Sequence, residues 1–215
     1  MKVITIITMG GLGERFNSSI PKQYIDIKGI QVWEYPLKSF IKSKRIDYIV
    51  LVVDKLHIDF VKNKIKDFNN ISVIEGGGSA NESRFNALQY LKSINTPDDD
   101  IIIIHDAVRP YLNDTIINNC IETCKQYDVA IPIIPINDCL LETAEKLHAV
   151  QTPQAFRFKD IYLAHMNIDL QTTTLRAPYE IWKTYTKKEY KTFPGDPRCL
   201  KLTKPEDINL IYGLW

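Results

Sequence analysis

Val3-Ile4-Thr5-Ile6-Ile7-Thr8 runs without a break into Met9-Gly10-Gly11-Leu12-Gly13-Glu14-Arg15-Phe16. A short, continuous, β-branched run suits a strand buried on both faces of a parallel sheet. Glycines directly after it let backbone N–H groups approach a phosphate chain without interference from a Cβ, and Arg15, with Lys22 a little further on, adds positive charge where a triphosphate would lie. Glycines also serve turns that bind nothing, so the loop alone is weak evidence. It is neither the dinucleotide GxGxxG nor a Walker loop, because no Gly-Lys-Ser/Thr ends it.

The same kind of run returns at Tyr48 to Val53, Ile71 to Ile74, Ile101 to Ile104 and Val129 to Ile134. Segments with helical spacing lie between them at Val32 to Lys42, Ile58 to Lys66, Asn81 to Lys92 and Asp114 to Tyr127. This βαβα alternation predicts an α/β fold with an open, doubly wound, mostly parallel sheet and right-handed crossovers. Ligands in such sheets bind outside the carboxyl ends of the strands, so the informative residues should follow the strands. Beyond Pro135 the pattern weakens. The last third predicts a helix at Lys159 to Asn167, another from near Ala177, a short strand at Tyr190 to Phe193, and a final helix capped by Thr203-Lys204-Pro205-Glu206.

The chain has 215 residues, 45% of them hydrophobic and 25% charged, with a formal net charge of +1. That length predicts one domain over 1–215, and the balance of charge gives no global field for nucleic acid or an anionic membrane. No apolar run reaches the length of a membrane span, and the start reads as a first strand rather than an export signal, which predicts a cytoplasmic protein. Cys120, Cys124, Cys139 and Cys199 lack zinc-site spacing and are expected to be reduced and without chemistry.

Gly10-Gly11-Leu12-Gly13-Glu14-Arg15 followed by Pro21-Lys22-Gln23 resembles the signature of the methylerythritol phosphate cytidylyltransferase family and its ribitol phosphate relatives. Further matches occur in the same order at Gly76-Gly77-Gly78 with Asn81-Glu82-Ser83, at His105-Asp106-Ala107-Val108-Arg109-Pro110, at Gln151-Thr152-Pro153-Gln154-Ala155-Phe156, and at Lys201-Leu202-Thr203-Lys204-Pro205-Glu206-Asp207. The resemblance covers nearly the whole chain and implies a Rossmann-like nucleotidyltransferase fold of the GT-A kind. It also implies a CTP-dependent enzyme that moves CMP onto the phosphate of a small polyol and releases pyrophosphate.

By that resemblance, Arg15 and Lys22 grip the triphosphate and stabilise charge developing in the transition state. Met9, Gly10, Gly11 and Gly13 cradle the nucleotide together with Gly78, while Gly76, Gly77 and Ser83 hold the cytosine; the bland alternative for these later glycines is a turn that merely caps the helix beginning near Asn81. Asp106 follows a strand at the ligand edge, and Mg²⁺ favours one or two carboxylates plus phosphate oxygens, which makes Asp106 the metal candidate. Its bland alternative is a turn-capping aspartate. Arg109, Gln151 and Lys201 are the candidates for holding the acceptor; without the motifs, surface charge would be the better reading of the two cations. His105 is expected to position the loop rather than to titrate.

Departures from the family cluster on the acceptor side. Asp138-Cys139 stands where Asp-Thr is usual, and a thiol is a poor donor. The arm at 135–151 is short and lacks the usual Asp-Arg element. Ala80 replaces an arginine for which Arg84 could compensate, Cys199-Leu200-Lys201 replaces Asn-Ile-Lys, and an acidic stretch is missing around Thr172 to Glu180. Lost hydrogen-bonding groups discriminate strongly between substrates, so an altered acceptor such as ribitol 5-phosphate or another capsule or teichoic precursor ranks first and methylerythritol 4-phosphate second. The resemblance also implies a homodimer, although the short arm removes the feature that would support it. A nucleotide-binding homologue without turnover is the reading from another class. An oxidoreductase is disfavoured because the glycine fingerprint and a ribose-binding acid are missing; Asp54 after Val53 does not suffice.

Overall fold

A computed structural model of the chain describes residues 1–10, 16, 20–136 and 147–214. Gly11, Gly13, Arg15, Asp138 and Cys139, with most of the expected arm, lie outside the described residues.

The strands are β1 (Val3–Thr8), β2 (Asp26–Ile27), β3 (Ile30–Gln31), β4 (Tyr48–Val53), β5 (Ile71–Glu75), β6 (Ile101–Asp106), β7 (Val129–Pro135), β8 (His148–Val150), β9 (Gln154–Arg157) and β10 (Lys191–Pro194). The α-helices are α1 (Glu34–Lys42), α2 (Ile58–Ile65), α3 (Ala80–Ser93), α4 (Asp114–Tyr127), α5 (Phe158–Met166), α6 (Pro178–Tyr185) and α7 (Asp207–Tyr212). The main sheet has the order β10-β7-β9-β6-β1-β4-β5, with β8 on β7. β1 pairs in parallel with β4 and β6, β4 with β5, and β7 with β10; β9 runs antiparallel between β6 and β7. The expected doubly wound, mostly parallel α/β sheet is therefore present.

Period-two alternation sends successive side chains of one strand to opposite faces. Ile7, Ile101 and Ile103 meet Leu37 and Phe40 of α1 and Ile117 of α4 on one face. Ile6, Ile102 and Ile104 meet Leu88 and Leu91 of α3 and Trp182 of α6 on the other. A smaller cluster of Phe16, Ile27, Val32, Val108, Leu202 and Ile211 ties the β2–β3 hairpin and α7 to the loop after β6.

The chain leaves β1 for β4 and β5 on one side and returns to β6 on the other, so the order reverses at β1. Ligand crevices open at such switch points. Thr8 and Asp106 are register partners at that edge. The final helix lacks the expected cap, because its N-cap residue Glu206 makes no side-chain capping hydrogen bond. Asp207 instead holds the preceding turn, its Oδ2 accepting from the backbone N–H groups of Thr203 at 2.7 Å and Lys204 at 2.8 Å, while the Thr203 hydroxyl donates to the Lys201 carbonyl. Among the described residues no helix is long and apolar enough to cross a membrane.

Candidate active site

Two walls face each other across the crevice. On one, the Met9 N–H donates to the Val52 carbonyl at 2.9 Å, and the Gly76 N–H donates to the Val53 carbonyl at 2.8 Å, so the ends of β1 and β5 are drawn to the end of β4. Ser83, buried in the first turn of α3, accepts from the Gly77 N–H at 3.0 Å, and Glu82 accepts from the Gly78 N–H at 2.8 Å. Ser79 caps the same helix by accepting from the Glu82 N–H. A Cβ on Gly77 would stand closer than 3.0 Å to Glu82, and one on Gly10 would lie 3.5 Å from Ser83 Oγ. Gly10, Gly77, Gly78 and Ser83 thus line one narrow wall, on which Gly77 has no room for a side chain. Gln23 holds the segment that carries Lys22 against this wall by donating to the Met9 carbonyl at 2.6 Å. Tyr24 donates to Asp54 at 3.2 Å and stacks on His57.

The other wall is built around Asp106. Lys201 Nζ lies 2.9 Å from Asp106 Oδ2 and Arg109 Nε 3.5 Å from the same oxygen. Burial pushes the Asp106 carboxyl up, but Lys201 and Arg109 outweigh it and hold the group well below the usual carboxylate range. Asp106 is therefore ionised at any working pH. The Asp106 N–H donates to Thr152 Oγ1 at 3.1 Å, Thr152 Oγ1 lies 3.3 Å from His105 Nδ1, and His105 Nε2 lies 3.1 Å from the Arg109 carbonyl. A carbonyl only accepts, so Nε2 carries the proton and Nδ1 accepts from the Thr152 hydroxyl. Burial pushes His105 down to about 4, which keeps this neutral tautomer near neutral pH. His105 holds the loop, as expected.

Asp106, Arg109 and Lys201 are brought together; Gln151 is not at the surface of the site. It is buried, donates to the carbonyls of Asp196 at 2.8 Å and Cys199 at 3.3 Å, and accepts from the Asp196 N–H at 3.1 Å. The expectation that it touches the acceptor is corrected accordingly, because every polar atom of its side chain already has a backbone partner. Arg84 is also buried. Its Nη2 donates to the Arg176 carbonyl at 2.7 Å, Nη1 has no hydrogen-bond partner among the described residues, and burial pushes the guanidinium down to about 10. Thr152 and Gly195 went unassigned in sequence. Thr152 stood inside a quoted motif, whereas Gly195 gave no signal.

Cys120, Cys124 and Cys199 are free and buried, with thiols pushed upward by burial. Among the described residues no group of three His, Cys, Asp or Glu side chains could hold a metal. Asp106 offers an ionised carboxylate at the ligand edge, the kind of donor that Mg²⁺ takes alongside phosphate oxygens.

Residues 3–212 match the family model described as "2-C-methyl-D-erythritol 4-phosphate cytidylyltransferase". The chain belongs to that family. It is a CTP-dependent cytidylyltransferase and hence a nucleotidyltransferase. The cytidylyltransferase of that name from Clostridium beijerinckii is 32% identical over 222 residues, covering 97% of this chain and 96% of its own. That of Clostridium perfringens strain 13 is 33% identical over 223 residues, with the same coverage of 97% and 96%. A bifunctional enzyme of Wolbachia pipientis wMel, named IspD/IspF, is 32% identical, and the match covers 54% of its length. Among solved structures, the 4-diphosphocytidyl-2C-methyl-D-erythritol synthase of Anaerococcus prevotii superposes with a TM-score of 0.83 at 23% identity, over 99% of this chain and 95% of that one. At such identity the likeness shows the cytidylyltransferase fold alone.

Proposed function

We propose that the chain transfers CMP from CTP to 2-C-methyl-D-erythritol 4-phosphate, with release of pyrophosphate. The observation that carries this reading is the match to relatives of that name at 32–33% identity over almost the full length of both chains. It raises the acceptor that the sequence ranked second above a ribitol 5-phosphate-like one. The departures at Ala80 and Cys199 do not oppose it. Arg84 turns towards Arg176, and Cys199 contributes its carbonyl rather than its side chain to Arg109 and Gln151.

In the proposed reaction an oxygen of the acceptor phosphate attacks the α-phosphorus of CTP in line, and the bond from that phosphorus to the β-phosphate bridge breaks. The attacking oxygen is already anionic, so no general base is required. Positioning and charge stabilisation supply most of the acceleration in such transfers. Gly10, Gly77, Gly78 and Ser83 would hold the nucleotide on the narrow wall, with Met9, Gly11 and Gly13 completing the loop. Lys22 and Arg15 would neutralise the departing pyrophosphate. Arg109 and Lys201 would take the acceptor phosphate, each turning partly away from Asp106 as the dianion arrives.

Asp106 would hold Mg²⁺ together with phosphate oxygens. Bound there, the ion would supply Lewis-acid polarisation of the phosphoryl group. The ionised state of Asp106 supports this role.

The test is pyrophosphate release from CTP and Mg²⁺ with methylerythritol 4-phosphate, ribitol 5-phosphate and glycerol phosphates offered separately. Release with the first, abolished by Lys22→Ala, is expected. A normal rate with ribitol 5-phosphate alone would return that acceptor to first place. Silence with every acceptor despite tight CTP binding would contradict the transfer itself.

A further inference from the structure

Lys201 sits in a stretch held from several directions. Just before it, the Cys199 N–H donates to the Asp196 carbonyl at 2.9 Å; just after it, the Leu202 N–H donates to the Val108 carbonyl at 2.8 Å. Gln151 fastens the first of these turns to the sheet, and Asn113 Nδ2 donates to Asp196 Oδ2 at 3.3 Å from the other side. Gln151 reads Asp196 on both backbone atoms and reaches on to the Cys199 carbonyl, which also accepts from Arg109 Nη1 at 2.8 Å. Gln151 is itself fixed, its N–H donating to the Pro132 carbonyl at 3.0 Å and its carbonyl accepting from Gln154 at 3.1 Å. Gly195 fits the same joint: a Cβ there would stand closer than 3.0 Å to Gln151 Oε1 and 3.3 Å from the Ile133 carbonyl.

We propose that Gln151 is a positioning residue which, with Gly195 as the close-packed hinge beneath it, clamps the turn at 196–199 so that Lys201 arrives at Asp106. The clamp acts through backbone atoms, so Cys199 serves it by its carbonyl while its thiol donates to the Thr152 carbonyl at 3.4 Å. A primary amide is the side chain suited to the task. It presents two donors to two carbonyls and one acceptor to an N–H in a single plane. This proposal rests on the reaction proposed above for what Lys201 does on arrival, and on geometry alone for the clamp.

Gln151→Ala is the first variant and Gln151→Glu the second, because the latter keeps the volume and the acceptor but turns a carboxylate towards two carbonyls. With methylerythritol 4-phosphate as acceptor, kcat is expected to fall by about 10- to 100-fold, the scale of a displacement of roughly 1 Å at a reacting centre, with CTP affinity unchanged. Combined with Lys201→Ala, either variant should add no further loss, because a residue that acts only through Lys201 has nothing left to position. A merely structural role, or direct contact with the acceptor, would multiply the two losses and overturn the proposal.

Crystal structures of the same variants give a reading independent of turnover. Lys201 Nζ should lie beyond hydrogen-bond reach of Asp106 with the sheet unchanged, and an undisturbed Lys201–Asp106 contact would also overturn the clamp. If the wild-type protein does not turn over methylerythritol 4-phosphate, the acceptor reading fails while the crystal structures still decide the clamp. Should Gln151→Ala fail to fold, the isosteric Gln151→Glu supplies both measurements.

Discussion

Gly77→Ala and Gly78→Ala are neighbours in sequence and should part company in function. A Cβ on Gly77 would meet Glu82 Cβ closer than 3.0 Å, with the Glu82 backbone carbon at 3.1 Å, whereas a Cβ on Gly78 would meet only the Glu82 carboxylate end at 3.3 Å. Backbone of a capped helix cannot move aside, but a carboxylate can rotate. Gly77→Ala must therefore shift the turn away from α3, putting at risk the bond from its N–H to Ser83 and the one from Gly78 to Glu82. At about 1 kcal/mol for each hydrogen bond, losing both costs about 2 kcal/mol, or roughly 30-fold in CTP affinity if the turn forms the nucleotide wall. Gly78→Ala should stay within about threefold, or about 0.7 kcal/mol. Isothermal titration of both variants with CTP, alongside melting curves, measures the difference. Equal affinities for the two variants and the wild type would refute the argument that this wall holds the nucleotide.

Stability should fall with acid in a window set by two histidines. Burial holds His105 and His165 at about 4 against an ordinary 6.5, so the unfolded chain binds more protons between those values and stability declines as pH drops through them. At pH 5 each histidine should contribute a loss of about 2 kcal/mol, and His165→Asn should remove roughly half of the slope seen in chemical denaturation. Asp106 titrates below this window and does not disguise it. Asp106→Asn should lower pyrophosphate release at least about 100-fold, with chelation of divalent metal doing the same to the wild type; a metal-independent rate would remove Asp106 from its proposed role. Cys120, Cys124 and Cys199 should resist a thiol reagent in the native protein and react on unfolding, because burial leaves them protonated and shielded; rapid native labelling of any of these three would contradict the packing of α4 and of the 196–199 turn.

The parallel strands were legible because each is a continuous apolar run, and α4 matched the expected Asp114 to Tyr127 to the residue. β9 was not legible. Gln154-Ala155-Phe156-Arg157 is short and follows a proline, and its strand character comes from sitting between β6 and β7, a pairing between distant parts of the chain. The site divides in the same way. Motifs pointed to Asp106, Arg109 and Lys201, but nothing in sequence tells that Lys201 meets Asp106 across 95 residues. Gln151 was selected for the wrong partner, since a motif reveals that an amide is needed and not which groups it faces. Helix spacing made Arg84 one residue that could compensate for the arginine absent at Ala80. It lies instead against the Arg176 carbonyl, an outcome decided by the segment before α6 and not by helix spacing.

The central claim, transfer of CMP to methylerythritol 4-phosphate, is tested most directly by competition. Equal amounts of methylerythritol 4-phosphate and ribitol 5-phosphate, mixed with limiting CTP, Mg²⁺ and the enzyme, yield two cytidine diphosphate products that ³¹P NMR and mass spectrometry separate. The account predicts the methylerythritol product in large excess, with pyrophosphate released in equal amount. Predominance of the ribitol product would contradict it.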